Sequence, residues 1–336
     1  MTAVDASACV RCAACATVAP ECFSVEARGP ARVLRQPGSA PELSACEAAA
    51  ALCPTQAISV QPVQAASGVR PMTRRELYPS VIEVAEAVRW KIAELPWATF
   101  DPSKATLPLR AVVREMAYSE QATFSATQRF MQAFGDNADF SQWISVWFYE
   151  ETRHPMMLLR WLELAGELPE TDFVTRGRVS TPFMRSLTGT LVTNVISEVF
   201  AAEAYRSLAG SAPEPLLGSL ALRIAADEAR HGASFFSYAR RAIALSEQPD
   251  RERLDALKVL HFWINESQAV SHPVNETMEK LKTLLPEGGQ LPRFVPPNDR
   301  VARLVGQLTG LPIQSPADVP AQLFEQTRLV HAQAGP

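Results

Sequence analysis

A five-residue pattern that occurs twice constrains this chain most. Glu150-Glu151-Thr152-Arg153-His154 returns as Asp227-Glu228-Ala229-Arg230-His231. In each copy a Glu and a His stand three apart. On a helix they share one face, one turn apart, and can grip a metal ion together. One Glu-x-x-His is common on a solvated face. Two copies that also share an acid before the Glu and an Arg before the His form a paired metal-site signature.

The sequence around the pair reads as helix. Four long periodic segments run from about Pro108 to Phe134, Asp139 to Ala165, Thr181 to Leu208 and Pro215 to Leu245. Gly135 ends the first, Gly166 and Pro169 the second, and Gly210 and Pro213 the third; Thr181-Pro182 is the predicted start of the third. Short loops within pairs and a longer central connection describe a four-helix bundle with a crossover. A shorter helix is predicted over 79–94, with Val81, Val84, Ala85, Val88 and Ile92 at helical spacing. Further helices are predicted over 251–284, 298–309 and 318–332, and no strand of useful length follows residue 62.

Such a bundle takes one more Glu from each of its first and third helices. The candidates are Glu115 or Glu120, and Glu198 or Glu203. Facing residues of antiparallel neighbours lie at similar distances from the loop that joins them. Glu120 is 14 residues before Phe134 and Glu151 is 12 after Asp139, whereas Glu115 is 19 before. At about 1.5 Å per residue the mismatch is about 3 Å against about 10 Å. Glu198 is 10 before Leu208 and Glu228 is 13 after Pro215, while Glu203 is only 5 before. Glu120 and Glu198 therefore join Glu151, His154, Glu228 and His231 as expected ligands. Four carboxylates and two imidazoles suit two irons, with positions left open for O2. Glu150 and Asp227 are placed to accept the second ring N–H of the opposite helix's His, and Arg153 and Arg230 to neutralise carboxylates. Trp143, Trp147, Phe148, Phe200 and Phe235 are candidates for lining the cavity. Glu115 and Glu203 are expected in salt bridges or on a solvated face. His261 and His272 lie beyond the bundle without a matching Glu and are expected to be surface or core residues.

All six cysteines fall between residues 9 and 53. Cys9-x-x-Cys12-x-x-Cys15 brings three thiolates into one tight loop, and Cys53-Pro54 supplies a fourth, the set that a 4Fe-4S cluster needs. The alternative, a structural zinc site, suits two separated knuckles better than this triplet. The stretch resembles the small bacterial ferredoxins in Cys9 to Cys15, in Pro20-Glu21-Cys22-Phe23 and in Cys53-Pro54-Thr55-Gln56-Ala57-Ile58. Ala19-Pro20 stands where two-cluster relatives place a further Cys-Pro, which implies one cluster. Cys22 and Cys46 are expected as buried free thiols. The segment contains no nucleotide loop, so its electrons come from an external reductase.

The 336 residues, 47% hydrophobic and 20% charged, suit one large domain plus a small one. A net charge of -4 without a basic stripe gives no argument for nucleic acid. No signal peptide and no apolar run of roughly 18 residues is visible, so a cytoplasmic protein without a membrane span is expected. The fold class is multidomain: a small α+β ferredoxin domain over 1–62, a linker over 63–77, and an all-α domain over 78–336. The latter comprises a core bundle over 108–245 and C-terminal helices over 251–336 that cover the bundle or make a homodimer contact.

The two motifs, with Glu120 and Glu198, resemble the ferritin-like di-iron carboxylate superfamily, and within it the acyl-carrier-protein desaturases and bacterial multicomponent monooxygenases. The resemblance implies a ferritin-like four-helix bundle and an O2-dependent desaturase or hydroxylase, with acyl-carrier protein as a partner. A fused electron donor argues against iron storage. Leu158 stands where reductase small subunits carry a radical Tyr, and Ile224 where arylamine N-oxygenases carry an extra His. Ala201 and Ala202 stand where desaturases and monooxygenases have a Thr. The competing readings are a peroxide reductase like the rubrerythrins, whose additional third-helix carboxylate this chain lacks, a di-iron N-oxygenase, and a non-enzymatic redox or iron sensor.

Overall fold

The structure, a computed structural model, describes residues 1–26, 29–61, 76–168, 172–178, 186–265, 272–274, 276–277, 280 and 294–333. The N-terminal region is a small α+β unit. Strand β1 (Thr2–Val4) pairs antiparallel with β4 (Ile58–Val60), Thr2 opposite Val60, and β2 (Phe23–Ser24) pairs with β3 (Arg32–Val33). Helix α1 (Ala14–Val18) follows the cysteine loop, and α2 (Ala40–Leu52) starts at Ser39, whose side chain accepts from the Glu42 N–H.

A mostly helical body follows. Most of the expected linker lies outside the described residues. Helix α3 (Tyr78–Val88) is shorter than the 79–94 prediction: Arg89 leaves helical geometry, and a 3-10 turn closes the segment at Ile92–Glu94. The reason is chemical, because Arg89 and Trp90 turn inward to buried carboxylates. The first two predicted bundle helices are each broken. One is α4 (Leu107–Glu120) and α5 (Ala122–Phe134), and the other is α6 (Ala138–Glu151) and α7 (Arg153–Leu164). Pro155 explains the second break, since it has no N–H to offer the Glu151 carbonyl four residues back. At the first, α8 (Phe173–Gly177) crosses so closely that a Cβ on Gly177 would stand 2.6 Å from the Gln121 Cβ.

Helix α9 (Leu187–Ser211) is capped by Ser186, whose Oγ accepts from Gly189 N at 2.9 Å. The predicted start at Thr181-Pro182 lies outside the described residues. Helix α10 (Pro215–Leu245) packs along α9 and also touches α6 and α7, while α4 lies on α7 and α5 on α6. The 251–284 prediction gives α11 (Pro249–Asn265), with much of the remainder outside the described residues. Helices α12 (Asn298–Thr309) and α13 (Val319–Gln333) complete the chain. Helix α12 packs on α2, α9, α10 and α11. It thereby touches both the N-terminal unit and the bundle. One apolar core runs through both parts, from Phe23, Ala49 and Leu52 to Val195, Phe235 and Leu304. Among the described residues no helix is long and apolar enough to cross a membrane.

Glu214 fixes the start of α10. It is fully buried, and its carboxyl oxygens accept from Leu216 N and Leu217 N, from Asp101 N at 3.0 Å and from Trp161 Nε1 at 2.7 Å. Truncation strands four donors, three of them buried, so Glu214→Ala is expected to cost about 3 kcal/mol in chemical denaturation. Glu214→Gln, which keeps one acceptor oxygen, is expected to cost less; equal stability of all three proteins would contradict this role.

Candidate metal centre

The helical spacing of each Glu-x-x-His brings its two side chains to one face, and the packing of α6, α7, α9 and α10 brings both faces together. Two groups form: Glu120, Glu151, His154 and Glu228, and Glu151, Glu198, Glu228 and His231, the ligand atoms of each within 4.8 Å of one another. Glu151 and Glu228 belong to both. Nδ1 of His154 lies 3.4 Å from Glu228 Oε1 and 3.7 Å from Glu151 Oε2. Nδ1 of His231 lies 3.4 Å from Glu228 Oε2 and 2.8 Å from Glu151 Oε1. Each shared carboxylate thus turns one oxygen to each imidazole. Glu120 joins the His154 side at 3.6 Å and Glu198 the His231 side at 3.9 Å.

Among the described residues, both Nδ1 atoms and Glu151 Oε1 are buried without a hydrogen-bond partner. The 2.8 Å approach of Glu151 to His231 therefore lacks hydrogen-bond alignment. Unpaired polar atoms converging on shared space cost about 1–3 kcal/mol per group. A cation would remove that cost, so the donor set fits a metal.

The other ring nitrogens face a second layer. Nε2 of His154 lies 3.3 Å from Asp227 Oδ2, and Nε2 of His231 lies 2.9 Å from Glu150 Oε2. Carboxylates only accept, so each Nε2 carries a hydrogen, and each ring that gives up its Nδ1 proton offers that lone pair to the shared space. Arg230 donates to both Glu150 and Asp227. Arg89 donates to Glu150 Oε1 at 2.7 Å, and Trp90 Nε1 to Asp227 Oδ2 at 2.8 Å. Arg153 makes no ion pair among the described residues. It lies over the Trp90 ring and donates to the Trp90 carbonyl, which holds in place the indole that serves Asp227.

The charges divide accordingly. Burial pushes Glu150 and Asp227 up, but Arg230 and the imidazoles outweigh it and hold both low. Burial and the neighbouring Glu228 push Glu151 up to about 7, and the same two causes raise Glu198. His154 and His231 are held well above the usual imidazole range: burial opposes this, and the surrounding carboxylates prevail.

Sequence reasoning missed several contacts. Tyr205 Oη donates to Glu120, Trp147 Nε1 to Glu198 at 3.1 Å, and Thr123 Oγ1 to Glu151 at 3.2 Å. Thr123 supplies a hydroxyl from α5, whereas Ala201 and Ala202 supply none from α9. A cavity of about 90 Å³ opens on Glu120, Glu151, Glu198 and Glu228, and Trp147 and Thr123 line it. Of the five aromatics suggested for that wall, Trp147 lies there. Trp143 and Phe235 stack with Tyr238 and Phe130 in the core, Phe148 packs on Phe124, and Phe200 on Trp263. His272, expected away from the site, lines the cavity, with its Nδ1 accepting from Val274 N at 3.3 Å. Glu115 pairs with Lys280, while Glu203 is buried between Arg206 and Arg300.

The four expected cluster cysteines converge in the N-terminal unit. Arg11 and Ala13, either side of Cys12, and Gln56, three beyond Cys53, adopt left-handed conformations that fold the loop around the thiols. Ala31 N donates to Cys9 Sγ at 3.3 Å and Ala57 N to Cys53 Sγ at 3.2 Å. Burial, reinforced by the other thiols, pushes Cys12 up and Cys15 up to about 12. Iron would relieve this crowding by binding the thiolates. Cys22 and Cys46 are buried and free.

Leu52, which precedes Cys53, meets the bundle at Gly232, which follows His231. A Cβ on Gly232 would stand 3.6 Å from Leu52 Cδ2 and 3.3 Å from Glu198 Cβ. The absence of a side chain lets the cysteine-bearing segment approach the carboxylate centre closely.

No curated protein and no solved structure matches the chain. Residues 4–60 match the family model for the 4Fe-4S single cluster domain of Ferredoxin I. The N-terminal unit is therefore a ferredoxin-type domain, built for electron transfer, beside a buried group of carboxylates and imidazoles able to hold metal.

Proposed function

We propose that this protein is an O2-dependent di-iron oxidoreductase of the ferritin-like type, a desaturase or hydroxylase of an unactivated C–H bond, fed by its own ferredoxin domain. The observation that carries this reading is the sharing of Glu151 and Glu228 between two imidazole-bearing groups. Shared carboxylates suit a pair of ions, and three or four ligands per ion leave positions open. When bound, a reduced iron pair supplies the oxidising power by activating O2.

The chain's own residues do the rest. Glu120 and His154 hold one side, Glu198 and His231 the other, and Asp227 and Glu150 fix the two imidazole tautomers. Tyr205 and Trp147 orient the terminal carboxylates, and Thr123 offers a hydroxyl at the cavity wall. The Leu52–Gly232 contact gives electrons from the Cys53 side a short route to His231 and Glu198. An external reductase supplies the domain.

For the substrate we infer an acyl chain on a carrier protein. An open groove of about 850 Å³, lined by Phe124, Met156, Met157, Leu159, Arg160 and Arg178, supports this. Gln121 and Thr152, each following a proposed ligand, also lie on it. The groove therefore offers apolar surface and two cations directly behind the centre. The 90 Å³ cavity favours a second reading, peroxide reduction, because only a small molecule fits among the described residues.

Iron quantitation after anaerobic reconstitution is expected to give two irons per chain beyond the cluster. Glu151→Ala is expected to abolish both, and Glu198→Ala to leave about one; a single iron in the parent would contradict a paired site. Loading must expel the protons on His154 and His231 and those on the raised Glu151 and Glu198. Apparent iron affinity is therefore expected to climb from pH 6 to pH 8, by about tenfold per pH unit for each proton released. A pH-independent affinity would contradict this protonation scheme. Reduced protein exposed to O2 with acylated carrier protein is expected to yield an acyl product short of two hydrogens or richer by one oxygen, read by mass spectrometry. Rapid peroxide consumption with no organic product would favour the second reading.

A further inference from the structure

Arg300 on α12 joins three parts of the molecule. It is 9% exposed. Its Nε donates to the Ala51 carbonyl at 3.0 Å, its Nη2 reaches the carbonyl of Cys53 at 3.5 Å, and its Nη1 pairs with Glu203 Oε2 at 3.0 Å. Ala51 and Cys53 belong to the ferredoxin domain, and Glu203 lies on α9, five residues beyond Glu198. Glu203 is shared with Arg206, so one buried carboxylate serves two guanidiniums. Arg300 is the guanidinium that reaches Cys53.

A buried charge next to a cluster ligand acts through low dielectric and escapes most salt screening. Reduction adds one negative charge to the cluster, and a nearby guanidinium favours the reduced state. From this geometry we infer that Arg300 is a positioning residue for electron transfer: its charge raises the reduction potential of the ferredoxin cluster, and its three contacts seat the domain on the bundle. Glu203 opposes the effect, since it partly neutralises Arg300. The inference rests on the ferredoxin domain and is independent of what the carboxylate centre does with the electrons.

The test is an EPR-monitored redox titration of the cluster in the full-length chain and in Arg300→Gln, Arg300→Lys and Glu203→Gln. Arg300→Gln is expected to lower the reduced-to-oxidised ratio at fixed potential about tenfold, equivalent to about 59 mV for one electron. Arg300→Lys, which keeps the charge, is expected to stay within about threefold of the parent. Glu203→Gln is expected to shift the ratio the opposite way, toward reduction. An unchanged potential in Arg300→Gln would overturn the proposal. Equal falls in the Gln and Lys variants would also overturn it, since packing alone would then explain both. Should Arg300→Gln fail to retain a cluster, Glu203→Gln decides: a rise supports the charge effect, and no change or a fall overturns it.

Discussion

The constraint on which the structure depends is the gathering of six acidic side chains between α4, α6, α9 and α10. Glu150, Glu151, Glu198, Asp227 and Glu228 are buried, and Glu120 lies half-buried beside them. Isolated carboxylates there would cost several kcal/mol each. The chain meets the cost in two layers. Glu150 and Asp227 are neutralised by Arg89 and Arg230 and oriented by Trp90. Among the described residues, Glu120, Glu151, Glu198 and Glu228 have the two imidazoles and a few neutral donors. That inner layer is short of positive charge, which is the condition a metal site needs.

The outer layer determines much of the backbone around it. Helix α3 ends at Val88 so that Arg89 and Trp90 can reach inward. The breaks at Gln121 and Thr152 each follow a carboxylate that faces the imidazoles. Gly232 leaves room for Leu52, and so the ferredoxin domain rests against the helical turn that carries His231. Helix α12 then covers the junction, with Arg300 reaching both sides. A ferredoxin-type domain and a group of residues able to hold metal thus share one apolar core.

Much of this was legible in the sequence because it is periodic. Spacing by three put Glu151 with His154 and Glu228 with His231, and distance from the loops separated Glu120 from Glu115 and Glu198 from Glu203. The structure brings the chosen pair to the imidazoles and sends Glu115 and Glu203 to ion pairs. The cysteine spacing was legible for the same reason. The rest depends on tertiary approach. Nothing local distinguishes Arg89 from any other Arg at a helix end, and Arg300 lies far along the chain from Cys53. Tyr205 and His272 reach the centre from positions with no motif. The break at Thr152 carried a usable signal in Pro155, whereas the one at Gln121 has no breaker beside it.

The central claim is that two redox centres share one chain and exchange electrons. An anaerobic reductive titration of the iron-loaded protein, followed by Mössbauer spectroscopy, tests it most directly. Uptake of three electrons per chain is expected, one by the cluster and two by the carboxylate-bound pair, and uptake of one in Glu151→Ala. Uptake of a single electron by both proteins would contradict it.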